Sequence, residues 1–379
     1  MIPSQCEQPS HEPSALSVLW ITKREYMHRD LVADRFGRYY EIPKRLSALG
    51  VTIQMLVYSY RRHPTTCISV NDRFSILSFG VFGFAAFLWH LVTLARSGRY
   101  QTVIGSGDTP YCIIAVLIAR LTGLRSVCDI YDNFETYASR RVPFMIQALG
   151  WAVRHADRTI VFEETLGHHL VQAYGAGATC TVPNGIDPEV FHVRNKGACR
   201  AALGISAATP IVGYFGSLTT HRGTAVLFDA FNYIASQHPD VLFLMAGSGQ
   251  HHIPPTRCHV RHLGLVTQRS LAELICACDA ATIVYADNAF ATFSFPQKLM
   301  EYIASQVPFV TPAIGGAVRF LDAFPQYLYR VGDPLDLARH ILAILETRPR
   351  AFPPPITWDT AALRCYDCLI AGIAPVVRQ

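Results

Sequence analysis

Charge is scarce in this chain: only 16% of its 379 residues are Asp, Glu, Lys or Arg, against about 25% in an average soluble domain. Half of the residues are hydrophobic, which excludes intrinsic disorder as the dominant state. No run of Lys or Arg resembles a nucleic-acid arm, so no nucleic-acid partner is expected. The net charge of +5, from 33 basic and 28 acidic residues, suits phosphate-bearing small molecules or anionic lipid instead. An Asp-x-Asp metal motif, internal repeats and low-complexity blocks are also missing. Residues 1 to 14 are polar and Pro-rich, and the first apolar run, Leu16 to Ile21, is too short for the core of a cleavable signal.

The 11 cysteines show no framework spacing, so buried thiols in a reducing cytosol are expected. Cys365 and Cys368 form a lone C-x-x-C, which reads as one helix face or, less simply, as half a zinc site. His251, His252, Cys258, His259 and His262 look like a ligand set, but Pro254 and Pro255 interrupt them, and a polar surface loop is the plainer account. Only one segment is long and apolar enough to span a bilayer: Phe74 to Ala95, without a charge.

The length suggests two or three domains. Short β-rich runs at 16–21, 51–57, 101–105, 125–130, 158–162 and 179–183 alternate with helical patterns, the mark of a parallel sheet wrapped by helices. A membrane span at 74–95 would divide that sheet, so the segment is read as an apolar helix that covers the sheet or meets a membrane surface. A second series begins at 211–217 and continues at 241–247, 259–264, 280–285 and 308–312. Turn and linker chemistry fills 183–210. The expected fold class is α/β: two doubly wound Rossmann-like domains, residues 1–188 and 189–355, with a ligand cleft between them. Residues 356–379 resume a helix expected to pack back on the first domain.

The strongest constellation lies in the second half. GYFGSLTTHRGTAVLFDAF reads as a strand ending at Gly216, a loop with Ser217 and Arg222-Gly223, then a helix. A basic residue beside a helix N-terminus is what a diphosphate needs; taken by itself, Arg222 reads rather as a surface arginine in a βα loop. FSFPQKLMEYIASQVPFVTPAIGG gives a loop with Ser294 and Phe295, then a helix opened by Pro296 that carries Lys298, Leu299 and Glu301. Glu301 suits a ribose diol; a solvated Lys298–Glu301 pair is the alternative. In the first half, Arg35, Gly37 and Arg38 open a helix, either as a phosphate loop or as a capping turn. Asp129, Asp132 and Asn133 follow the fourth strand, either at an acceptor site or as N-caps in a polar loop.

These motifs resemble those of the GT-B glycosyltransferases, in particular the retaining, nucleotide-sugar-dependent family 4. VPNGIDPEVF (182–191), GSLTTHRGTAVLFDAF, MAGSGQ (245–250, with Gly247) and FSFPQKLMEYIASQVPFV stand in the family's order and spacing. The resemblance implies a hexosyltransferase using a UDP- or GDP-sugar, with no metal and no cofactor beyond that co-substrate. It places Arg222 on the diphosphate, Glu301 on the nucleotide ribose and Lys298 at the variant lysine. It makes Arg222, Lys298 and Asp132 the catalytic candidates, and Gly216, Ser217, Gly247, Ser294, Phe295 and Leu299 donor contacts. Two positions depart from the pattern: the family arginine is Ser217 here, and the first glutamate of its pair is Phe293. The implied acceptor is a lipid-linked saccharide met at the cytosolic face of the membrane by a peripheral protein. A soluble small-molecule acceptor, or a non-catalytic subunit, is the alternative. The peripheral reading rests on 74–95 and on RRVPFMIQALGWAVRH (140–155), where arginines flank apolar rings.

Overall fold

The structure, a computed structural model, describes residues 16–26, 29–136, 142–219, 222–249, 253 and 258–371. The chain forms two compact units, one of residues up to Asn184 together with those from Trp358 onward, the other Gly185–Thr357.

Unit 1 runs through β1 (Ser17–Lys23), the paired β2 (Glu25–Tyr26) and β3 (Arg29–Asp30), α1 (Leu31–Asp34), α2 (Arg38–Ala48), β4 (Thr52–Tyr58), β5 (Thr66–Asn71), β6 (Phe74–Phe79), α3 (Phe84–Ala95), β7 (Thr102–Ser106), α4 (Thr109–Thr122), β8 (Arg125–Ile130), α5 (Met145–His155), β9 (Arg158–Val161), α6 (Glu164–Tyr174) and β10 (Thr179–Thr181). Its main sheet has the order β10-β9-β8-β7-β1-β4-β6-β5. All pairings are parallel except β5 with β6. Strands of a sheet covered on both faces read as unbroken apolar runs, and β1, β4 and β7 are buried over nearly their whole length. The sheet's order reverses between β1 and β7, where a doubly wound sheet offers its ligand crevice.

Unit 2 begins with α7 (Lys196–Ala202), a helix inside the expected linker. It continues with β11 (Ile211–Phe215), α8 (Thr224–Gln237), β12 (Leu242–Ala246), β13 (His259–His262), α9 (Gln268–Ala277), β14 (Ala280–Thr282), α10 (Ala289–Thr292), α11 (Gln297–Ala304), β15 (Phe309–Pro312), α12 (Gly316–Phe320), β16 (Leu328–Tyr329) and α13 (Pro334–Thr347). Its order is β13-β12-β11-β14-β15-β16, all parallel, reversing between β11 and β14.

The last helix, α14 (Trp358–Ile370), packs on α2 in unit 1. Arg125 reaches its end, donating to the carbonyls of Leu369 (2.9 Å) and Ala371 (3.0 Å). A disulfide joins Cys180 on β10 to Cys368 on α14 with Cα atoms 6.3 Å apart. This corrects the expectation of thiols throughout, and it takes Cys368 out of any C-x-x-C metal pair. Cys112, Cys128, Cys199, Cys258, Cys276, Cys278 and Cys365 are free and buried.

The apolar segment 74–95 is not one helix. Its first part is β6, fully buried beside β4, and its second is α3. The break falls at Gly80, where a Cβ would lie 2.2 Å from the His63 carbonyl oxygen. Before β6, Asn71 Oδ1 accepts from Arg73 N–H at 2.9 Å and turns the chain out of β5. Periodicity hid β6 because a buried strand and a buried helix segment are equally unbroken. No helix among the described residues is long and apolar enough to cross a membrane.

The two faces of α3 differ. Phe87, Leu91 and Ala95 face the sheet, with Phe87 near the rings of Phe79 and Tyr58 (both 5.9 Å). Trp89 points out and is 72% exposed. Phe87→Ala should therefore cost about 3–5 kcal/mol and Trp89→Ala about 0.5 kcal/mol or less, as read by urea denaturation. Equal losses would contradict this assignment of faces.

Candidate functional site

Unit 2 gathers most of the motif residues at its strand-order reversal. Gly216 and Ser217 follow β11, and Gly247 follows β12. Gly247 has φ +146, and a Cβ there would stand 1.9 Å from Gly216 O. Only glycine lets the two loops approach this closely. They are then tied: Gly216 N–H donates to Ala246 O (3.0 Å), Leu218 N–H to Ser248 O (2.8 Å) and Ser248 Oγ to Ser217 Oγ (3.0 Å). The buried Tyr214 hydroxyl donates to Ser217 O at 2.9 Å.

Arg222 lies across the reversal. Its guanidinium is 5.8 Å from the ring centroid of Tyr285, which follows β14. Gly223 (φ +77) packs on that same backbone; a Cβ would be 2.9 Å from Tyr285 C. Gly223 is also the N-cap of α8, and no side chain caps the helix. Arg222 and the positive end of a 14-residue helix thus adjoin, the combination that holds an anion.

The second loop holds Lys298 and Glu301. Lys298 Nζ donates to both carboxylate oxygens, at 3.0 and 2.9 Å. Glu301 is buried, so the pair is not the solvated one considered from sequence. Burial raises the Glu301 carboxyl above its usual range, and Lys298 pulls it back. Buried tyrosines adjoin both groups. Burial lifts the Tyr214 hydroxyl while the charge of Arg222 opposes it; burial lifts Tyr302, and the charges of Glu301 and Tyr214 add to it.

Three expected donor contacts are largely committed to the fold. Leu299 is in the core. Ser294 Oγ donates to Ala291 O at 3.1 Å. Phe295 packs edge-on against Phe320. What Ser294 offers is backbone: Gly315 (φ +60) sits so close that a Cβ would be 2.5 Å from Ser294 O. Of the histidine set, His251 and His252 lie outside the described residues, and Cys258 Sγ donates to Asn232 Oδ1. Among the described residues no group of His, Cys, Asp and Glu could hold a metal ion.

In unit 1, Gly37 (φ +78) caps α2, as expected for the start of a helix. Arg38 is held inside the unit. Its guanidinium is 1% exposed and paired with Asp129, 2% exposed, at 2.8 Å. It also donates to Val182 O (2.7 Å) and Asn184 Oδ1 (3.3 Å). Asp129 accepts from Ser106 Oγ (2.9 Å), and Ser106 from Trp20 Nε1 (2.9 Å). Arg38 and Asp129, expected as phosphate and acceptor candidates, are parts of one buried network. Arg35 is exposed and ends α1 in left-handed backbone. Asp132 is half-buried and accepts from Asn133 N–H (2.8 Å); Asn133, buried, accepts from Glu135 N–H (3.0 Å). Arg140 and Arg141 lie outside the described residues.

Sequence reading missed Tyr285, although it closed the run read as a strand at 280–285. It also missed Lys23 and Asp108, which pair at 2.9 Å across 85 positions and which no local pattern joins.

Removing one partner of a buried ion pair leaves the other uncompensated, at about 3–5 kcal/mol. Asp129→Ala should lose that much on chemical denaturation. The double variant Arg38→Met/Asp129→Leu should recover most of it. A single variant as stable as the parent would deny the network its role.

Two family matches cover most of the chain: the model described as glycosyl transferases group 1 matches residues 209–347, and that described as glycosyltransferase family 4 matches residues 38–190. A D-inositol 3-phosphate glycosyltransferase of Catenulispora acidiphila is 26% identical over 215 residues, 52% of this chain and 49% of that protein. One from Segniliparus rotundus is 30% identical over 117 residues, 30% of this chain and 26% of that protein. The chain thus spans half or less of the length of these two relatives. Among solved structures, sucrose-phosphate synthase of Thermosynechococcus elongatus aligns with a TM-score of 0.69 at 15% identity, over 94% of this chain and 99% of that one. Anabaena HepE in complex with UDP aligns at 0.67 and 16%, over 93% and 95%. With both halves matched in order and two parallel α/β units of this kind, the chain belongs to the group 1 glycosyltransferases of GT-B fold.

Proposed function

We propose that the chain transfers a hexosyl group, with retention, from a UDP- or GDP-sugar to a lipid-linked saccharide, working as a peripheral protein at the cytosolic face of a membrane. The observation that carries the donor half is Arg222, held over Tyr285 at the strand reversal of unit 2 beside the uncapped start of α8. As the glycosidic bond to the diphosphate breaks, negative charge builds on the departing phosphate. Fixed donors aimed at that charge lower the barrier most. Arg222 and the α8 N–H groups supply them, and Lys298 adds a second cation. Glu301 takes the ribose hydroxyls. Retention rests on the family resemblance, with the acceptor oxygen entering on the face that the phosphate leaves. HepE, solved with UDP, supports a uridine nucleotide.

The membrane half is supported by the outward face of α3. Trp89 on α3 and Phe82 just before it are 72% and 81% exposed, and Arg62 sits over the Phe82 ring at 5.3 Å. Arg61, Arg96 and Arg99 are also exposed, and no acidic residue occurs from 73 to 107. Apolar rings with arginines and no carboxylate suit an anionic lipid interface. A soluble acceptor is the second reading, supported by curated relatives that are named for D-inositol 3-phosphate.

Arg222→Ala should lower kcat about 10²- to 10³-fold, while Arg222→Lys keeps part of the activity because a point charge survives. Full activity in Arg222→Ala would move the leaving-group role elsewhere. Glu301→Gln should weaken nucleotide binding by about 1.5–3 kcal/mol in titration calorimetry; unchanged affinity would remove the ribose assignment. Flotation with anionic liposomes should be lost in Phe82→Ser/Trp89→Ser and weakened by salt. No flotation of the parent chain at low salt would favour the soluble acceptor.

A further inference from the structure

The turn after β12 is held from a second side as well. Gly247 N–H donates to Gly264 O at 2.8 Å, and Leu263 N–H donates to Met245 O at 2.9 Å, so the segment leaving β13 closes on the backbone that carries Gly247. Gly264 stands in left-handed backbone (φ +68). Its own N–H donates at 3.3 Å to Nδ1 of His262, the last residue of β13. A run of contacts therefore leads from the His262 ring through Gly264 to Gly247, and from Gly247 to Gly216, where no Cβ would fit. Gly216 and Gly247 belong to the proposed donor loops.

An N–H group bonds only to a ring nitrogen that bears no hydrogen. Nδ1 is therefore the acceptor, and the proton of the neutral ring sits on Nε2. Nε2 is buried without a hydrogen-bond partner, so nothing repays a charged ring for the water it loses. Burial lowers the pKa of His262, and the Gly247 backbone opposes that shift in part. Among the described residues no neighbouring charge acts on the ring. β12, residues 247–249 and residues 263–267 carry no ionisable side chain. On β13 itself His259 is exposed, and Arg261 donates to Leu203 O at 2.6 Å.

We propose that His262 is a positioning residue for donor binding: its neutral ring holds Gly264, and through it the Gly247 turn, in the arrangement that the nucleotide sugar needs, so donor affinity falls when the ring gains a proton. The proposal rests on the donor-site reading of unit 2 and adds a pH response to it. Above about pH 6.5 the ring is neutral and Gly264 is held. Burial keeps it neutral somewhat further into acid. Once Nδ1 is protonated, one N–H faces another, and the bond to Gly264 is lost. His262 touches no reacting atom, so its effect falls on KM more than on kcat.

The test measures KM for UDP-glucose, and UDP affinity by titration calorimetry, on the full chain at about pH 7.5 and about pH 5, either side of the histidine range. His262→Asn supplies an Oδ1 that accepts from the N–H two residues on but does not titrate. It should match the parent near neutrality, while the parent weakens toward acid about 3- to 10-fold more than the variant, the size of one lost hydrogen bond. His262→Phe removes the acceptor and should be weakened at both pH values. Glu301 and the other titrating groups are common to all three chains, so the difference between parent and His262→Asn belongs to the ring. Nitrogen-15 NMR of the parent near neutrality should show the proton on Nε2. An acid response in His262→Asn equal to the parent's, or a ring protonated on Nδ1 near neutrality, would overturn the proposal. UDP binding that keeps this pattern without any sugar transfer would sink the transfer reading and leave His262 in its role. No UDP binding at either pH would overturn both.

Discussion

A guanidinium and a carboxylate held out of water organise unit 1. Each buried ion costs several kcal/mol to desolvate, and the pair repays this only when its remaining hydrogen-bonding atoms are also met. Asp129 on β8 is met by Ser106 of β7, which is met in turn by Trp20 of β1. Arg38 on α2 is met by Val182 O and Asn184 Oδ1 at the end of the unit. One constraint thus fixes three adjacent strands, a helix and the exit of the chain. It also explains the asparagine of the Pro-Asn-Gly motif as an acceptor for Arg38, beyond its part in a turn.

Unit 2 solves a different problem. On the proposed reading it binds a diphosphate, which requires backbone N–H groups and cations to converge without side chains in the way. Three glycines make the room: Gly247 against Gly216, Gly223 against Tyr285, and Gly315 against Ser294. Each lies in left-handed backbone and each would force a Cβ into a neighbouring main chain. Loop spacing here is set by excluded volume, and the candidate donor side chains, Arg222 and the Lys298–Glu301 pair, stand at the edges of that frame.

What the sequence made legible follows the same division. Buried parallel strands announce themselves as continuous apolar runs, so β1, β4, β7, β8, β11, β12, β14 and β15 lie where expected. The half-exposed β5, with Thr66, Ser69 and Asn71, carries no such signal, and β16 is only two residues long. Segment 74–95 misled because nothing in its composition marks Gly80 as a break; the reason lies in His63, a contact made only after folding. Motif order singled out Arg222, Lys298 and Glu301 because the patterns that carry them are local. Arg38 and Asp129, both singled out as ligand groups, are 91 positions apart, and sequence holds no record that they satisfy each other.

Ser217 stands where the resemblance expects an arginine, and the structure shows what the exchange leaves behind. Its Oγ is joined to Ser248 Oγ and its carbonyl to the Tyr214 hydroxyl, so the position stabilises the loop with neutral bonds. On the proposed mechanism the leaving diphosphate then relies on Arg222, the start of α8 and Lys298. Lys298 gives two of its three ammonium protons to Glu301, which leaves one for phosphate. A ribose diol donating to Glu301 adds to the hydrogen bonds that stabilise its charged form, and a carboxylate has lone pairs enough to serve both partners. On that mechanism the pair serves both roles: Lys298 favours the charged form of the buried Glu301 for the ribose, and Glu301 holds the lysine beside the phosphate.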